Sequence, residues 1–157
     1  MLVALVFLLM LQEPGPITVY VWTQQSQFTD ADQARRVDSV KDIREQLAKA
    51  KNVQVVGSEK DADITVEVTF SSKLPVASTT TIFLPGQAVT QAKSTTAITG
   101  VLRVRGMDYQ TELTAQNPNV YSWKVLTSYW VGTQFNPWIE KNLDLVRQSR
   151  KSEGEHQ

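Results

Sequence analysis

The sequence predicts an α+β fold, with a mixed, largely antiparallel sheet, an early strand–helix–strand unit, and a C-terminal helix packed mainly on one face. Three observations predict it. A β-branched and aromatic segment precedes an amphipathic helix, apolar residues then alternate in short runs, and the pattern becomes helical again near residue 121. Because a chain of 157 residues can bury one sizeable core, we expect a single domain over residues 16–147 and a polar tail over 148–157.

The chain begins with an uninterrupted apolar run from Met1 to Leu11, which predicts a secretory signal peptide over residues 1–15. A helix of that length spans roughly 16 Å, too short to cross a bilayer. No Lys or Arg precedes the run and no small-x-small cleavage site follows it. A start codon inside a longer signal peptide is one explanation for the missing basic residues. We expect a bacterial protein that is periplasmic or secreted, with an N-terminal core strand as the alternative.

Two strands flank the first predicted helix. Ile17 to Thr23 is rich in strand-favouring residues, and the polar stretch Gln24 to Arg36 predicts a loop. Val53 to Val56 predicts a short buried strand. Between them an apolar stripe at helical spacing predicts an amphipathic helix, with Ser39 and Asp42 as its capping box; the stripe comprises Val37, Val40, Ile43, Leu47 and Ala50.

Strict alternation from Asp63 to Phe70 predicts a strand with one packed face, formed by Ile64, Val66, Val68 and Phe70. A Ser-, Thr-, Ala- and Gln-rich stretch follows, with a strand at Thr79 to Leu84 closed by Pro85-Gly86. Strands at about Thr95 to Arg105 and Met107 to Ala115 then predict a hairpin with a type II′ turn at Gly106-Met107. Its register pairs Arg105 with Asp108, Val104 with Tyr109, and Leu102 with Thr111.

The segment from Tyr121 to Lys151 is helical in pattern but interrupted at Pro137. This residue either kinks one helix or, with Asn136 as N-cap, begins a second. Apolar stripes lie on both sides of the interruption: Trp123, Leu126 and Trp130 before it, and Ile139, Leu143 and Val146 after it.

Composition excludes several classes of function. Sixteen basic and sixteen acidic residues cancel, whereas nucleic-acid-binding proteins normally carry a basic excess. The absence of cysteine removes thiolate metal sites, thiol nucleophiles and a lipobox. The single histidine, His156, lies in the polar tail, so neither a His-based metal site nor a Ser-His-Asp triad can form. We expect no cofactor, no metal, no nucleic-acid partner, no integral membrane span and no enzymatic activity.

The predicted binding surface is the loop after the first strand, because ligands of open sheets gather where strands feed a crossover. The partner expected there is another envelope protein. The residues assigned to this surface are Trp22, Gln24, Gln25, Phe28, Asp30, Arg35 and Arg36.

Three alternatives stay open. A small hydrolase or carbohydrate-active enzyme could draw two carboxylates from Asp30, Asp32, Asp61, Asp63 and Glu67. An assembly subunit could pair through the Ser/Thr-rich strands near Thr79 to Thr96. Finally, an aromatic platform for a glycan or a partner could form from Trp123, Trp130 and Trp138. The spacing of these residues instead favours packing of the terminal helix onto the sheet.

The middle of the chain resembles small periplasmic α/β domains: the amino-terminal domain of TolB and the related domain of CsgG-type curli-secretion proteins. The resemblance covers about half the chain and rests on the helix Asp38 to Leu47, the strand Val53 to Val56, and Ala62-Asp63 leading into the alternating strand. Gly100 to Val104 and its hairpin partner are similar to the strands that follow. The chain also resembles uncharacterised exported proteins of soil bacteria.

The resemblance implies an envelope location and protein–protein binding, and it supplies no catalytic residues. This sequence shows no counterpart of TolB's β-propeller or of CsgG's pore-forming strands and lipidated cysteine, so neither specific function carries over. We therefore expect a non-enzymatic exported envelope protein that acts as a binding or assembly domain through protein–protein contacts.

Overall fold

The computed structural model describes residues 15–25, 31–85, 87–117 and 122–154. Within these ranges it describes the backbone alone for residues 73–84, 87–94 and 151–154. The predicted signal peptide therefore lies almost wholly outside the described residues. The elements in chain order are β1 (Ile17–Trp22), α1 (Ala31–Leu47), β2 (Val53–Val55), a 3-10 helix (Glu59–Asp61), β3 (Ile64–Leu84), β4 (Gln87–Val104), β5 (Gln110–Asn117), α2 (Trp123–Trp130), a π-helix (Val131–Phe135) and α3 (Asn136–Gly154).

The five strands form one sheet in the order β2-β1-β3-β4-β5. Strand β1 runs parallel to both β2 and β3, so β1, α1 and β2 make the early crossover unit. The pairs β3–β4 and β4–β5 are antiparallel. These pairings confirm the predicted α+β class with a mixed sheet.

The helices pack on one face of the sheet, which confirms the predicted layering. Alternate residues of β1, β3 and β4 face this core, as strand geometry requires. The strand residues of the core are Ile17, Val19, Val21, Ile64, Val66, Val68, Ile98, Leu102 and Val104, with Ala115 of β5. The helix residues packed against them are Val40, Ile43, Leu47, Leu126, Trp130, Val131, Phe135, Trp138, Ile139 and Val146.

Helix α1 begins earlier than the apolar stripe predicts. The described helix starts at Ala31, so the predicted loop is wrong over residues 31–36. The capping box is also wrong: Ser39 lies inside the helix, fully buried, with its Oγ 2.9 Å from that of Ser71. The first turns are polar and carry no stripe, and contacts between neighbouring side chains, such as Asp32 with Arg35, support them instead.

A β-bulge interrupts the alternation of β3. The register steps from Val68 opposite Gly100 to Phe70 opposite Thr99, which leaves Thr69 as the extra residue. Because the bulge reverses the order of faces, Phe70 lies on the face away from the core and Ser71 on the buried one. The prediction for Phe70 was therefore wrong, and a bulge leaves no signal in simple alternation.

Two of the three predicted pairs between β4 and β5 are confirmed: Leu102 pairs with Thr111, and the Val104 N–H donates to the Tyr109 carbonyl. The predicted pairing of Arg105 with Asp108 is wrong, because Arg105 is a central residue of the turn. The turn that joins the two strands differs from the prediction. The Met107 N–H donates to the Val104 carbonyl, so Gly106 is the second of the two central residues of the turn, and its φ is 67°. The predicted type II′ turn is therefore wrong. The Arg105 N–H instead donates to the Asp63 carbonyl, which ties the turn to the start of β3.

The C-terminal segment contains a π-helix where a break or kink at Pro137 was predicted. Asn136 is helical, with φ −61° and ψ −48°, and its N–H donates to the Val131 carbonyl, so it is not an N-cap. The wider π turn accommodates a residue that lacks a backbone N–H. The non-helical residue of α3 is Asn142, whose Nδ2 donates to the Trp138 carbonyl at 2.8 Å.

Candidate functional site

The residues of the predicted binding surface do not form one loop. Trp22 ends β1, and Gln24 and Gln25 follow it exposed to solvent. Arg35 and Arg36 lie on α1 instead, because the helix extends through the polar stretch. Phe28 and Asp30 lie outside the described residues.

Both arginines of that surface are held within their helix. Arg35 donates to Asp32 Oδ1 at 2.8 Å, and its guanidinium carbon lies 5.7 Å from the centre of the Trp123 ring. Arg36 donates to Gln33 Oε1 at 2.6 Å. These contacts connect α1 with α2 and stabilise the first turns of α1.

Trp22 belongs to the face of the sheet opposite the helices. It pairs with Glu67 across β1 and β3, and Glu67 accepts from Arg103 Nη1 at 3.0 Å. Arg103 also donates to Gln110 Oε1 at 3.0 Å. The indole N–H of Trp22 is buried and has no acceptor among the described residues. The sequence does not predict the pair between Glu67 and Arg103, because the two residues are 36 positions apart and only the sheet register brings them together.

The carboxylates named for a hydrolase are dispersed or paired with other side chains. Asp61 is exposed in the 3-10 helix, Asp32 binds Arg35 and Ser72, and Asp30 lies outside the described residues. Asp63 and Glu67 are four residues apart on an extended chain, which separates their Cα atoms by roughly 13 Å. The two carboxylates are also held by different partners, Arg150 for Asp63 and Arg103 for Glu67. No group of metal-binding side chains occurs among the described residues.

Asp63 instead joins the C-terminal helix to the beginning of the sheet. Arg150 donates to both of its carboxylate oxygens, at 2.8 and 2.6 Å. The backbone N–H and the hydroxyl of Thr18 donate to Oδ2 at 2.7 and 2.8 Å. Arg150 also donates to the carbonyl of Pro16 at 2.6 Å. This cluster holds the ends of β1, β3 and α3 together, although Arg150 lies 87 residues from Asp63.

Burial raises the pKa of the Asp63 carboxyl, and the hydrogen bonds from Arg150 and Thr18 more than compensate, so the pKa lies below its ordinary value. The hydrogen bond to Asp63 raises the pKa of Arg150, against the opposing effect of burial. A carboxyl held ionised in this way is poorly suited to act as a general acid near neutral pH.

We expect Asp63 to make stability depend on pH on the acid side. Because its folded-state pKa is lower than the unfolded value of about 3.9, its contribution is complete above that pH and is lost as the pH falls through the folded-state pKa. Urea unfolding from about pH 5 to about pH 2 should therefore show a smaller loss of unfolding free energy in Asp63→Asn than in the parent.

The graded control is Thr18→Val, which removes one donor but keeps the carboxylate. The unfolding free energy that this variant loses on acidification should fall between the losses of the parent and of Asp63→Asn. Equal losses of unfolding free energy in all three proteins would contradict the role assigned to Asp63.

The antiparallel pair β3–β4 extends far beyond its neighbouring strands. Among the described residues, β1 pairs with β3 from Ile64 to Glu67 only, and β5 pairs with β4 from Thr96 to Arg103 only. The β3–β4 register nevertheless continues to Leu84 opposite Gln87, with one irregularity between Pro75 and Thr79. Residues 73–85 and 87–95, the projecting hairpin, are a two-stranded ribbon roughly 35 Å long with no adjoining strand among the described residues.

The projecting hairpin is almost free of charge. No charged residue occurs between Lys73 and Lys93, and the tip from Ile82 to Pro85 is apolar. Free strand edges in native proteins usually carry charges, prolines or bulges that prevent pairing with other strands. Beyond the irregularity at Pro75, the segment from Thr79 to Leu84 carries none of these.

A second surface feature is an open cleft of about 600 Å³ between the start of β1 and α3. Ile17, Ile139 and Leu143 contribute apolar lining, and Lys51 and Arg147 contribute positive charge. No helix in the described part of the chain is both long and apolar enough to cross a bilayer.

No protein-family model matches the chain, and a search among curated proteins finds no match. Among solved structures, the hypothetical protein CT253 of Chlamydia trachomatis is similar, with 12% sequence identity, a TM-score of 0.34, and coverage of 87% of this chain and 94% of that one. No conclusion about fold or function rests on a likeness at this TM-score. The resemblance to TolB and to CsgG-type proteins stays a prediction.

Proposed function

We propose that this protein is a non-enzymatic exported envelope protein that acts as a binding or assembly domain through protein–protein contacts. The observation that carries the proposal is the projecting hairpin. Its residues between Lys73 and Lys93 are uncharged, and β3 and β4 pair only with each other there among the described residues. The outer edges of such a two-stranded ribbon are suited to contact another protein, because their backbone groups can extend a sheet across the interface.

Export is supported by the apolar run from Met1 to Leu11, which has the length of a signal-peptide core. The resemblance to periplasmic domains supports the same location. If export occurs, protein purified from the envelope or medium begins near Gly15 or Pro16 by N-terminal sequencing. Recovery from the cytosol with Met1 to Leu11 retained would contradict it.

The binding role is tested by a shortened hairpin, in which residues 75–94 are replaced by Asn-Gly. Leu74 and Thr95 are register partners, so a two-residue turn can join them directly. Because neither β1 nor β5 pairs with this segment among the described residues, we expect the rest of the fold to be kept, with an unfolding free energy within about 1 kcal/mol of the parent.

The readout is covalent cross-linking in the intact envelope, followed by mass spectrometry of the adducts. The parent should give discrete adducts and the shortened variant at most one tenth of their yield. Gln116→Ala, on an exposed position of β5, is the matched control and should cross-link like the parent. A folded shortened variant that keeps the parent's adducts would overturn the assignment of binding to the projecting hairpin.

A further inference from the structure

The strand segment from Thr79 to Leu84 is the part of the projecting hairpin best suited to pair with another strand. Its sequence is Thr-Thr-Thr-Ile-Phe-Leu, with β-branched or aromatic residues at five of six positions and no charge, proline or glycine. Each of the six residues has a register partner in β4, so one edge of the segment is already paired. The other edge has no strand beside it among the described residues.

An unpaired edge of this kind does not favour burial in a lipid bilayer. Hydrocarbon offers no partner for unpaired N–H and C=O groups, so open sheet edges are not found exposed to lipid. The three threonines also bring hydroxyl groups that would need partners there. The partner that suits this edge is therefore another extended strand, because a strand supplies backbone hydrogen bonds.

A second copy of this chain meets the requirements that the segment sets. Its own segment from Thr79 to Leu84 is equally uncharged, so pairing brings no unpaired charge into the contact. The formal net charge of the chain is +0, which leaves little long-range repulsion between copies. Antiparallel pairing also keeps the flanking lysines of the two copies, Lys73 and Lys93, apart.

We propose that two copies associate by antiparallel pairing of their Thr79–Leu84 segments, joining two hairpins into one four-stranded sheet. This inference rests on the proposed binding function and names its partner. A twofold axis perpendicular to the joined sheet makes the contact the same on both copies and places one central residue opposite itself. The central residues of the segment are Thr81 and Ile82.

The absence of cysteine from the chain allows a direct test. Single cysteines are introduced as Thr81→Cys and Ile82→Cys, with Gln116→Cys on the exposed part of β5 as the control. Residues paired across antiparallel strands have Cα atoms about 4.5–5.5 Å apart, within the range that a disulfide spans. Mild oxidation should convert at least one of the first two variants to a covalent dimer about tenfold faster than the control.

Light scattering during size-exclusion chromatography supplies the reversible counterpart. The parent should move from the monomer mass to twice that mass as its concentration rises. Thr81→Lys should raise the dimer Kd by about tenfold or more, because it brings like charges together at the contact. Thr81→Val is the matched variant that keeps a β-branched residue, and its dimer Kd should stay within about threefold of the parent's.

A monomeric parent with no preferred cysteine, or a cross-link at Gln116 alone, would overturn the self-association inference. If the shortened hairpin still abolished envelope cross-linking, the proposed function would stand with a different protein as partner. Hairpin-dependent flotation with vesicles of equal parts phosphatidylethanolamine and phosphatidylglycerol, without dimerisation, would replace the protein partner with a membrane.

Discussion

Trp130→Ala is expected to lower the free energy of unfolding by about 3–5 kcal/mol, the largest effect of any single substitution considered for this chain. Trp130 is fully buried and stacks on Phe135, with ring centroids 5.8 Å apart. Its Nε1 donates to the Leu113 carbonyl at 2.9 Å. The ring lies against Gly100, where an added Cβ would approach its Cζ2 to 2.7 Å. The substitution would leave a cavity and would remove the indole donor from the Leu113 carbonyl.

Urea unfolding monitored by circular dichroism measures the effect, and Trp123→Ala is the matched control on the same helix. Trp123 is only partly buried, with Arg35 beside its ring, so a loss of about 1–2 kcal/mol is expected. Equal losses for the two variants would contradict the structural role of Trp130. An aromatic platform used for binding would instead leave stability nearly unchanged when Trp130 is removed.

Arg150→Met is expected to lower the free energy of unfolding by about 2 kcal/mol near neutral pH. Removing one partner of a buried ion pair typically costs about 3–5 kcal/mol, and the smaller figure allows for the solvent exposure of one third of the Arg150 side chain. The Asp63 carboxylate, 10% exposed, would keep only the two donors of Thr18. The Pro16 carbonyl would also lose its donor.

A double-mutant cycle with Asp63→Asn isolates the pair itself, and the coupling free energy should be at least about 1 kcal/mol. Arg147→Met, on the same helix and bordering the open cleft, is the control and should change stability by less than about 0.5 kcal/mol. Additive effects in the cycle would refute the cluster as the connection between α3 and the start of the sheet.

Local sequence patterns predicted the elements that have one solvent-exposed face and one buried face. The alternation from Ile64 to Val68 and the helical spacing from Val40 to Leu47 both correspond to buried faces in the structure. The register of β4 with β5 was also predictable, because a slip of one residue would place Leu102 on the wrong face. The α+β class follows from these elements.

Other features depend on contacts distant in sequence, which local patterns cannot show. The early turns of α1 are polar, and their side-chain contacts are not visible as an apolar stripe. The bulge at Thr69 reverses the position of Phe70 without any composition signal. The partners Asp63 and Arg150 are 87 residues apart, so nothing local associates them.

The candidate site likewise has features that local sequence predicts and features that depend on contacts distant in sequence. The Ser/Thr-rich composition predicted strands that could pair with another subunit, and Thr79 to Leu84 was predicted as one of them. Only the sheet register shows that this segment pairs continuously with β4. The register also shows that β1 and β5 do not extend alongside the segment. Together they identify the projecting hairpin as the surface to test.

Hydrogen exchange of the backbone amides provides the most direct test of the central claim that the Thr79–Leu84 edge becomes paired on association. Exchange is followed by mass spectrometry at a low and a high protein concentration. The account predicts that the Thr79–Leu84 amides on the free edge exchange at least about tenfold more slowly at the higher concentration, because association pairs that edge. Exchange within Ile64 to Val68 should not change between the two concentrations. The same exchange rate of the Thr79–Leu84 amides at both concentrations would contradict the account.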